Sequence, residues 1–198
     1  MPVIERDFYN RPALDVARDL LGCRLVRRQG GERLSGMILE TEAYQGEDDL
    51  GCHASAGKTP RTRVMYGPPG HAYVYFTYGM HWLLNAVSDG EGTPSAVLIR
   101  SIYPVDGTES MAKNRAYKAL KPGWTDGPAK LTQALGIDGS FNNVDLCDSA
   151  FGLWIEDGEP ISDSDVLRTP RVGLNNVSEP WRSVPWRFLV NKGAVRGS

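Results

Sequence analysis

The chain has 198 residues, 41% of them aliphatic, aromatic or Cys, which is enough to bury one sizeable core and points to a single domain over 1–198. Its net charge of -2 does not point to a polyanion partner, so any contact with one must come from local charge. No apolar run is long enough to span a membrane, and Met1-Pro2-Val3-Ile4-Glu5-Arg6-Asp7 lacks the order of a secretory signal.

Three scattered cysteines (Cys23, Cys52, Cys147) argue against a disulfide framework and offer no paired metal spacing, so a reducing cytoplasm and no bound metal or cofactor are expected. Nothing in the pattern marks a protein partner, and a monomer is expected. Bases outnumber acids from Leu50 to Lys130, whereas Gly136 to Asp165 holds acids and no base. Segregation of this kind lets one face meet phosphate while another stays in water.

In chain order, Asn10-Arg11-Pro12 predicts a helix start, with Leu14, Ala17, Leu20 and Leu21 at helical spacing and Gly22 as the stop. Cys23 to Arg28 and Leu34 to Tyr44 read as strands joined across Gln29-Gly30-Gly31. Gly46 to Gly70 is long, polar and rich in Gly and Pro, and a loop of that length in a compact domain is usually functional or disordered. Tyr73 to Thr77 and Trp82 to Val87 form a hairpin around Tyr78-Gly79-Met80, with Ala96 to Ile102 as a further apolar strand.

Ser110 to Leu120 predicts a helix. Gly127-Pro128 opens another, with Leu131 and Leu135 inward and Gly136 as its stop. Shorter strands follow at Gly152 to Glu156, Arg168 to Gly173 and Trp186 to Val190. Hairpins outnumber strand-helix-strand units, which favours an α+β fold on a mainly antiparallel sheet.

Strand alternation puts Glu40, Glu42 and Tyr44 on one face and Leu39, Thr41 and Ala43 on the other. Two like charges spaced this way are ordinarily the solvated face of an edge strand. The adjacent Tyr44 ring and the turn-rich loop that follows point instead to chemistry. A carboxylate among aromatic rings suits an enzyme that holds a flat, cationic ring and adds water beside it.

His53 lies in the loop, and with only His71 and His81 besides it no metal set forms. Lys58-Thr59-Pro60-Arg61-Thr62-Arg63 supplies cations and hydroxyls that could clamp phosphate oxygens or simply be solvated. Tyr73, Tyr75 and Thr77 share one hairpin face. Tyr78 sits at the tip, where a core role is hard to satisfy and an exposed ring suits a wedge into a base stack. Asn85 is expected opposite Tyr75 or one residue off. Arg100, ending Ala96-Val97-Leu98-Ile99, should pair with an acid, since burying it alone is costly. No serine or cysteine sits in a nucleophile pattern, and no phosphate-cradling Gly loop is present.

These residues resemble the alkyladenine (3-methyladenine) DNA glycosylases over nearly the whole chain. The matching segments are Leu39-Glu40-Thr41-Glu42-Ala43-Tyr44, His53, Thr59-Pro60-Arg61-Thr62-Arg63, Tyr73-Val74-Tyr75-Phe76-Thr77-Tyr78-Gly79-Met80, Asn85, Val97-Leu98-Ile99-Arg100, Gly127-Pro128-Ala129-Lys130-Leu131 and Arg171-Val172-Gly173, in this order.

The resemblance implies a curved antiparallel sheet flanked by helices, a protruding hairpin, and a barrel like the C-terminal domain of a formyltransferase. It implies double-stranded DNA with damaged purines as the partner. Glu42 would be the general base, with Arg100 and the Val172 carbonyl holding the attacking water. Tyr44, His53 and Tyr75 would wall the base pocket, and Asn85 would discriminate against the amine of normal guanine. Tyr78 would fill the gap in the duplex, and Thr59, Arg61, Arg63, Met80 and Lys130 would meet the DNA backbone. Thr77 departs from the pattern, standing where a larger aliphatic residue is expected beside the wedge.

The residues alone leave two alternatives. One is a non-catalytic reader of damaged DNA. The other is a carbohydrate or nucleoside hydrolase using Glu40 and Glu42 as its pair.

Overall fold

The computed structural model describes residues 1–116, 123–191 and 193. A short helix α1 (Arg6–Tyr9) precedes α2 (Ala13–Asp19), whose Ala13, Val16 and Ala17 are buried. Pro12 itself is the N-cap of α2 and makes no side-chain cap bond. Asn10, expected to start this helix, instead closes α1, because a four-residue helix leaves no periodicity to read. Gly22, at φ +89°, follows the helix and turns the chain into the sheet.

Strand β1 (Arg24–Gln29) folds back through Gly30 and Gly31, both at positive φ, onto the long β2 (Glu32–Gln45). The polar loop after β2 contains 3-10 turns at His53–Ala56 and Arg63–Tyr66, short pieces that alternation analysis does not register. Strands β3 (Ala72–Thr77) and β4 (His81–Val87) make the hairpin, and β5 (Ser95–Asp106) runs further than its apolar run suggested.

Helix α3 (Thr108–Asn114) covers the start of the expected helix; residues 117–120 of that expectation lie outside the described residues. Helix α4 (Pro128–Leu135) has Pro in its first turn, Leu131 and Leu135 buried, and Gly136 in the left-handed conformation as its stop. Strand β6 (Leu153–Glu156), β7 (Val166–Thr169) and β8 (Arg187–Val190) complete the fold. β7 ends before Pro170, which has no N–H to offer a ladder, so Arg171 to Gly173 lie outside the strand expected there.

All strand pairings among the described residues are antiparallel, in the order β3-β4-β5-β2-β1-β6, with β8 joining β2 to β7. The sheet is unclosed, β3 and β6 standing at opposite ends of the path, where the resemblance implied a barrel. At fourteen residues, β2 is long enough to take three partners: β5 on one edge, β1 and then β8 on the other.

One face of the sheet is dry. Leu25, Leu34, Ile38, Leu84, Val97, Ile99 and Ile102 bury there with Leu20 of the α2 cap and Leu131 and Leu135 of α4. Each such side chain contributes roughly 1.5–3 kcal/mol of apolar burial. The consequence for function is placement: Glu40, Glu42 and Tyr44, which alternate with buried Thr41 and Ala43 on β2, face the other way. So do Leu83 and Asn85 beside Leu84 and Ala86 on β4, and Leu98 and Arg100 beside Val97 and Ile99 on β5.

Candidate active site

That other face opens into a cavity of about 330 Å3, within the size range of small-molecule pockets. Tyr44 of β2, Tyr73, Tyr75 and Thr77 of β3, Leu83 and Asn85 of β4, and Leu98 and Arg100 of β5 line it. His53, Cys52 and Met65 from the long loop, Pro128 at the head of α4, and Val172 to Leu174 close its sides. Every segment named for the resemblance except Thr59-Pro60-Arg61-Thr62-Arg63 contributes a lining residue. The rings of Tyr44, His53, Tyr73 and Tyr75 line it together with the polar groups of Asn85 and Arg100.

Glu42 does not itself line the cavity; its side chain is 0% exposed and is bonded to Tyr44, Arg100 and Val172, which do. Its Oε1 accepts from the Val172 backbone N–H at 2.7 Å. Its Oε2 accepts from the Tyr44 hydroxyl at 2.8 Å and from Arg100 at 3.2 Å. A carboxylate has about four acceptor positions. Oε2 has filled two of them and Oε1 one, so Oε1 keeps the open position.

Burial pushes the Glu42 carboxyl above the usual range, against the opposing pull of Arg100, the Val172 N–H and Tyr44; Glu40 adds to the rise. Burial and the Glu42 charge together hold the Tyr44 phenol well above its usual range, which keeps it a donor.

The alternation expected on β2 is observed in full. Ala43 and Leu39 pack toward the dry face, and the Thr41 hydroxyl donates to the Ala17 carbonyl of α2. Arg100 pairs with acids as burial required: its Nε donates to Glu40 at 2.7 Å and a second nitrogen to Glu42. Glu40 accepts as well from Arg187 at 2.7 Å. The sequence carried no signal for Arg187, which is one base in a short strand.

His53 stands edge-on to Tyr75, ring centroids 4.6 Å apart, and its Nδ1 lies 3.0 Å from the Tyr73 hydroxyl. Burial first, and then the charge of Arg61, push this imidazole down to about 4, so it is neutral at physiological pH. Tyr73 and Tyr75 lie 5.3 Å apart with a 34° tilt, and burial pushes the Tyr75 phenol up to about 12. Cys52 also lines the cavity, but burial pushes its thiol up to about 12, leaving no thiolate nucleophile.

Asn85 pairs with Tyr73, not Tyr75: the hairpin loop is three residues long, which shifts the register from that counted back from the tip. Its Nδ2 donates to the Tyr73 carbonyl at 3.0 Å, which fixes the amide and leaves its oxygen as the free end. Tyr78 is 85% exposed at the hairpin tip and adopts φ +51°, with Gly79 after it at +67°. Two consecutive positive φ values suit a type I′ hairpin turn, which Gly accepts freely and Tyr only at a cost of about 1–3 kcal/mol. Met80 and Phe76 flank it in solvent, Phe76 resting on Trp82 with centroids 4.7 Å apart.

The remaining expected residues are more dispersed. The Thr59 hydroxyl is engaged with that of Thr62 at 3.0 Å, inside its own turn. Arg61 lies over the Tyr75 ring at 4.9 Å, and Arg63 is exposed. Lys130 is exposed, reaches the Gly123 carbonyl at 3.3 Å, and does not line the cavity.

Arg171 is the residue that motif reading undervalued. Its side chain and that of Asp49 are both 0% exposed, joined by bonds of 2.5 and 2.8 Å. It also donates to the Ala43 carbonyl at 3.0 Å and lies between the Tyr44 and Trp186 rings, 4.7 and 5.1 Å from their centroids. Arg171 thereby backs the ring that forms one cavity wall and anchors the backbone of Val172. Asp49, within a long polar loop, carried no distinguishing signal.

Comparison with known proteins identifies the family. A family described as methylpurine-DNA glycosylase (MPG) matches residues 7–194. A protein of Methanocella arvoryzae is 47% identical over 188 residues, covering 95% of this chain and 92% of its own. One of Carboxydothermus hydrogenoformans is 47% identical over 188 residues, covering 95% of each. One of Myxococcus xanthus is 46% identical, covering 94% of this chain and 89% of its own. All three bear the name "Putative 3-methyladenine DNA glycosylase". With its aromatic cavity and caged glutamate, the chain belongs to the methylpurine-DNA glycosylase family.

Proposed function

We propose that this DNA glycosylase swings alkylated or deaminated purines, such as 3-methyladenine, 7-methylguanine, ethenoadenine and hypoxanthine, out of duplex DNA and hydrolyses the N-glycosidic bond with a water activated by Glu42. The observation that carries this reading is the caged carboxylate: an acid with no exposed surface, held by three donors that themselves line a purine-sized aromatic cavity.

Sugar hydrolases that release an alcohol generally need a second carboxyl group to protonate the leaving oxygen. Glu40 does not suit that role, because two guanidiniums clasp it. A purine alkylated on a ring nitrogen needs no such acid. It is already cationic, and it departs neutral with the bonding pair as the C1′–N bond breaks. Neutral ethenoadenine and hypoxanthine, by contrast, must take a proton at a ring nitrogen to leave as neutral bases.

The water oxygen forms the new bond to C1′, and its proton passes to Glu42. The open acceptor position on Oε1 is where that water would bind, with the Val172 carbonyl as its second partner. Since no surface of Glu42 is exposed, admitting water requires the Val172–Gly173 turn or the Tyr44 ring to give way. Gly173 at φ +86° and the half-exposed Val172 side chain make the turn the softer side.

Tyr44, His53 and Tyr75 would stack on and abut the extruded base, and stacking returns about 1–3 kcal/mol per base against a flipping cost of a few. Tyr78 would fill the vacated position in the duplex, and Arg61, Arg63, Met80 and Lys130 would lie along its backbone. The Thr59 hydroxyl, engaged in its own turn, would contribute mainly by shaping that turn. Asn85 would deny room to the amine of guanine.

No lysine lines the cavity among the described residues, which supports simple base removal over a Schiff-base lyase step. The test is an assay on duplexes carrying each damaged base. Free base and an alkali-labile abasic site without strand cleavage support the reading. Tight binding without release would instead indicate a damage reader, and turnover of free nucleosides alone would indicate a nucleoside hydrolase.

A further inference from the structure

The ladder between β2 and β5 slips twice at one place. Ile38 pairs with Ile102, Glu40 with Ser101 and Thr41 with Ile99, so Leu39 on one strand and Arg100 on the other have no partner. Paired irregularities of this kind re-aim side chains without disturbing the strands beyond them. Here they bring Glu40 and Arg100 to the cavity face while Ile38, Ile99 and Ile102 all stay in the core.

The outcome is a chain of alternating charge, Arg187–Glu40–Arg100–Glu42, in which each link is an N–O contact of 2.7, 2.7 and 3.2 Å. One oxygen of Glu40, Oε1, takes both arginine Nε groups. Arg100 is thus pinned at its Nε by Glu40, and that pin determines which of its nitrogens reaches Glu42.

We propose that Glu40, braced by Arg187, is the positioning residue that aims Arg100 at Glu42 and sets how much of Arg100's positive charge the base receives. This rests on the reading of Glu42 as the base. Glu40 lies roughly 7 Å along the strand from Glu42. At that range its negative charge opposes that of Glu42, while its grip keeps Arg100 in place. Arg187, opposite Glu42 in the β2–β8 ladder, offsets Glu40.

The other groups around the Glu42 carboxyl are Tyr44 on its own strand and Tyr75 of β3, with His53 sharing the cavity and Arg171 behind Tyr44. None of these touches Glu40 or Arg187 by hydrogen bond. Changes at the two relay residues therefore reach the base through Arg100 and through charge.

The experiment is single-turnover excision of 7-methylguanine from a duplex, followed across the acid range with the full-length protein. The substrate is already cationic and needs no proton, so the acid limb reports the base. Glu40→Gln keeps an oxygen for the Arg100 Nε but removes the opposing charge, and should move the acid limb down by about one pH unit. Arg187→Gln leaves Glu40 less compensated and should move it up by about half a unit. Arg187→Lys, restoring charge, should return it toward wild type.

A merely structural role would lower the melting temperature or the plateau without shifting the limbs in opposite senses. Limbs that coincide with wild type, or that move together, overturn the proposal. If either variant turns over too slowly to titrate, the carboxyl stretch of Glu42 in difference infrared titration gives the same comparison. Glu42→Gln run alongside separates the two ideas. If it still excises, the base assignment is wrong; if it is inactive while the limbs stay put, only the relay fails.

Discussion

Replacing Arg171 by Met tests how the cavity wall is held. The guanidinium and Asp49 are both fully buried, so the substitution leaves a carboxylate in the interior without its cation. Breaking such a pair from one side costs about 3–5 kcal/mol. Asp49 keeps the backbone N–H groups of Gln45 at 3.2 Å and Gly51 at 2.9 Å, which places the loss near the lower end, about 3 kcal/mol.

For a chain of this size each kcal/mol shifts Tm by about 2–4 °C, so thermal melts should fall by about 6–12 °C. Adding Asp49→Asn removes the stranded charge and should recover a substantial part of that loss. The Tyr44 ring also loses its backing and Val172 its neighbouring anchor. Excision should therefore fall about tenfold to a hundredfold at temperatures where the variant remains folded. A melt indistinguishable from wild type, or one that Asp49→Asn does not relieve, would refute the reasoning.

Other outcomes follow from the same geometry. Tyr78→Ala should weaken binding of damaged duplex by about 5- to 150-fold and abolish the 2-aminopurine fluorescence rise that reports flipping; unchanged signal would remove the wedge. Asn85→Ser should raise excision of undamaged guanine, measured as abasic sites in unmodified duplex. His53, held neutral down to about 4 against about 6.5 in the unfolded chain, should make wild type lose stability as pH falls from 6.5 to about 4. The unfolded chain takes up the proton first, so the loss begins at the upper figure. Denaturant melts of His53→Gln should show a shallower decline over that window.

The face assignments on β2 followed from alternation, because a two-residue period has only one way to bury Leu39, Thr41 and Ala43. Helix α4 was equally clear, since Pro128 and Gly136 mark its ends. The Asn85 partner was missed because a loop length sets hairpin register, and three loop residues look much like two in a sequence. The paired slips at Leu39 and Arg100 switch the buried parity, from Ile38 to Thr41 on β2 and from Ile99 to Ile102 on β5. Apolar residues flank the slip on both strands, so no single period discloses it.

Arg171 and Asp49 are far apart in sequence and ordinary in type. Their importance lies wholly in mutual burial, a tertiary fact. Arg61 shows the converse: a base in a basic loop suggests a phosphate contact, but its packing on the Tyr75 ring could not be read from the loop.

The central claim is that one carboxylate activates the water. Single-turnover release of ethenoadenine by Glu42→Gln, with duplex affinity measured on the same preparation, tests it most directly. The account predicts loss of release with binding retained, because Gln can still accept from Val172, Tyr44 or Arg100 but cannot take a proton from water. Near-normal release by this variant would contradict it.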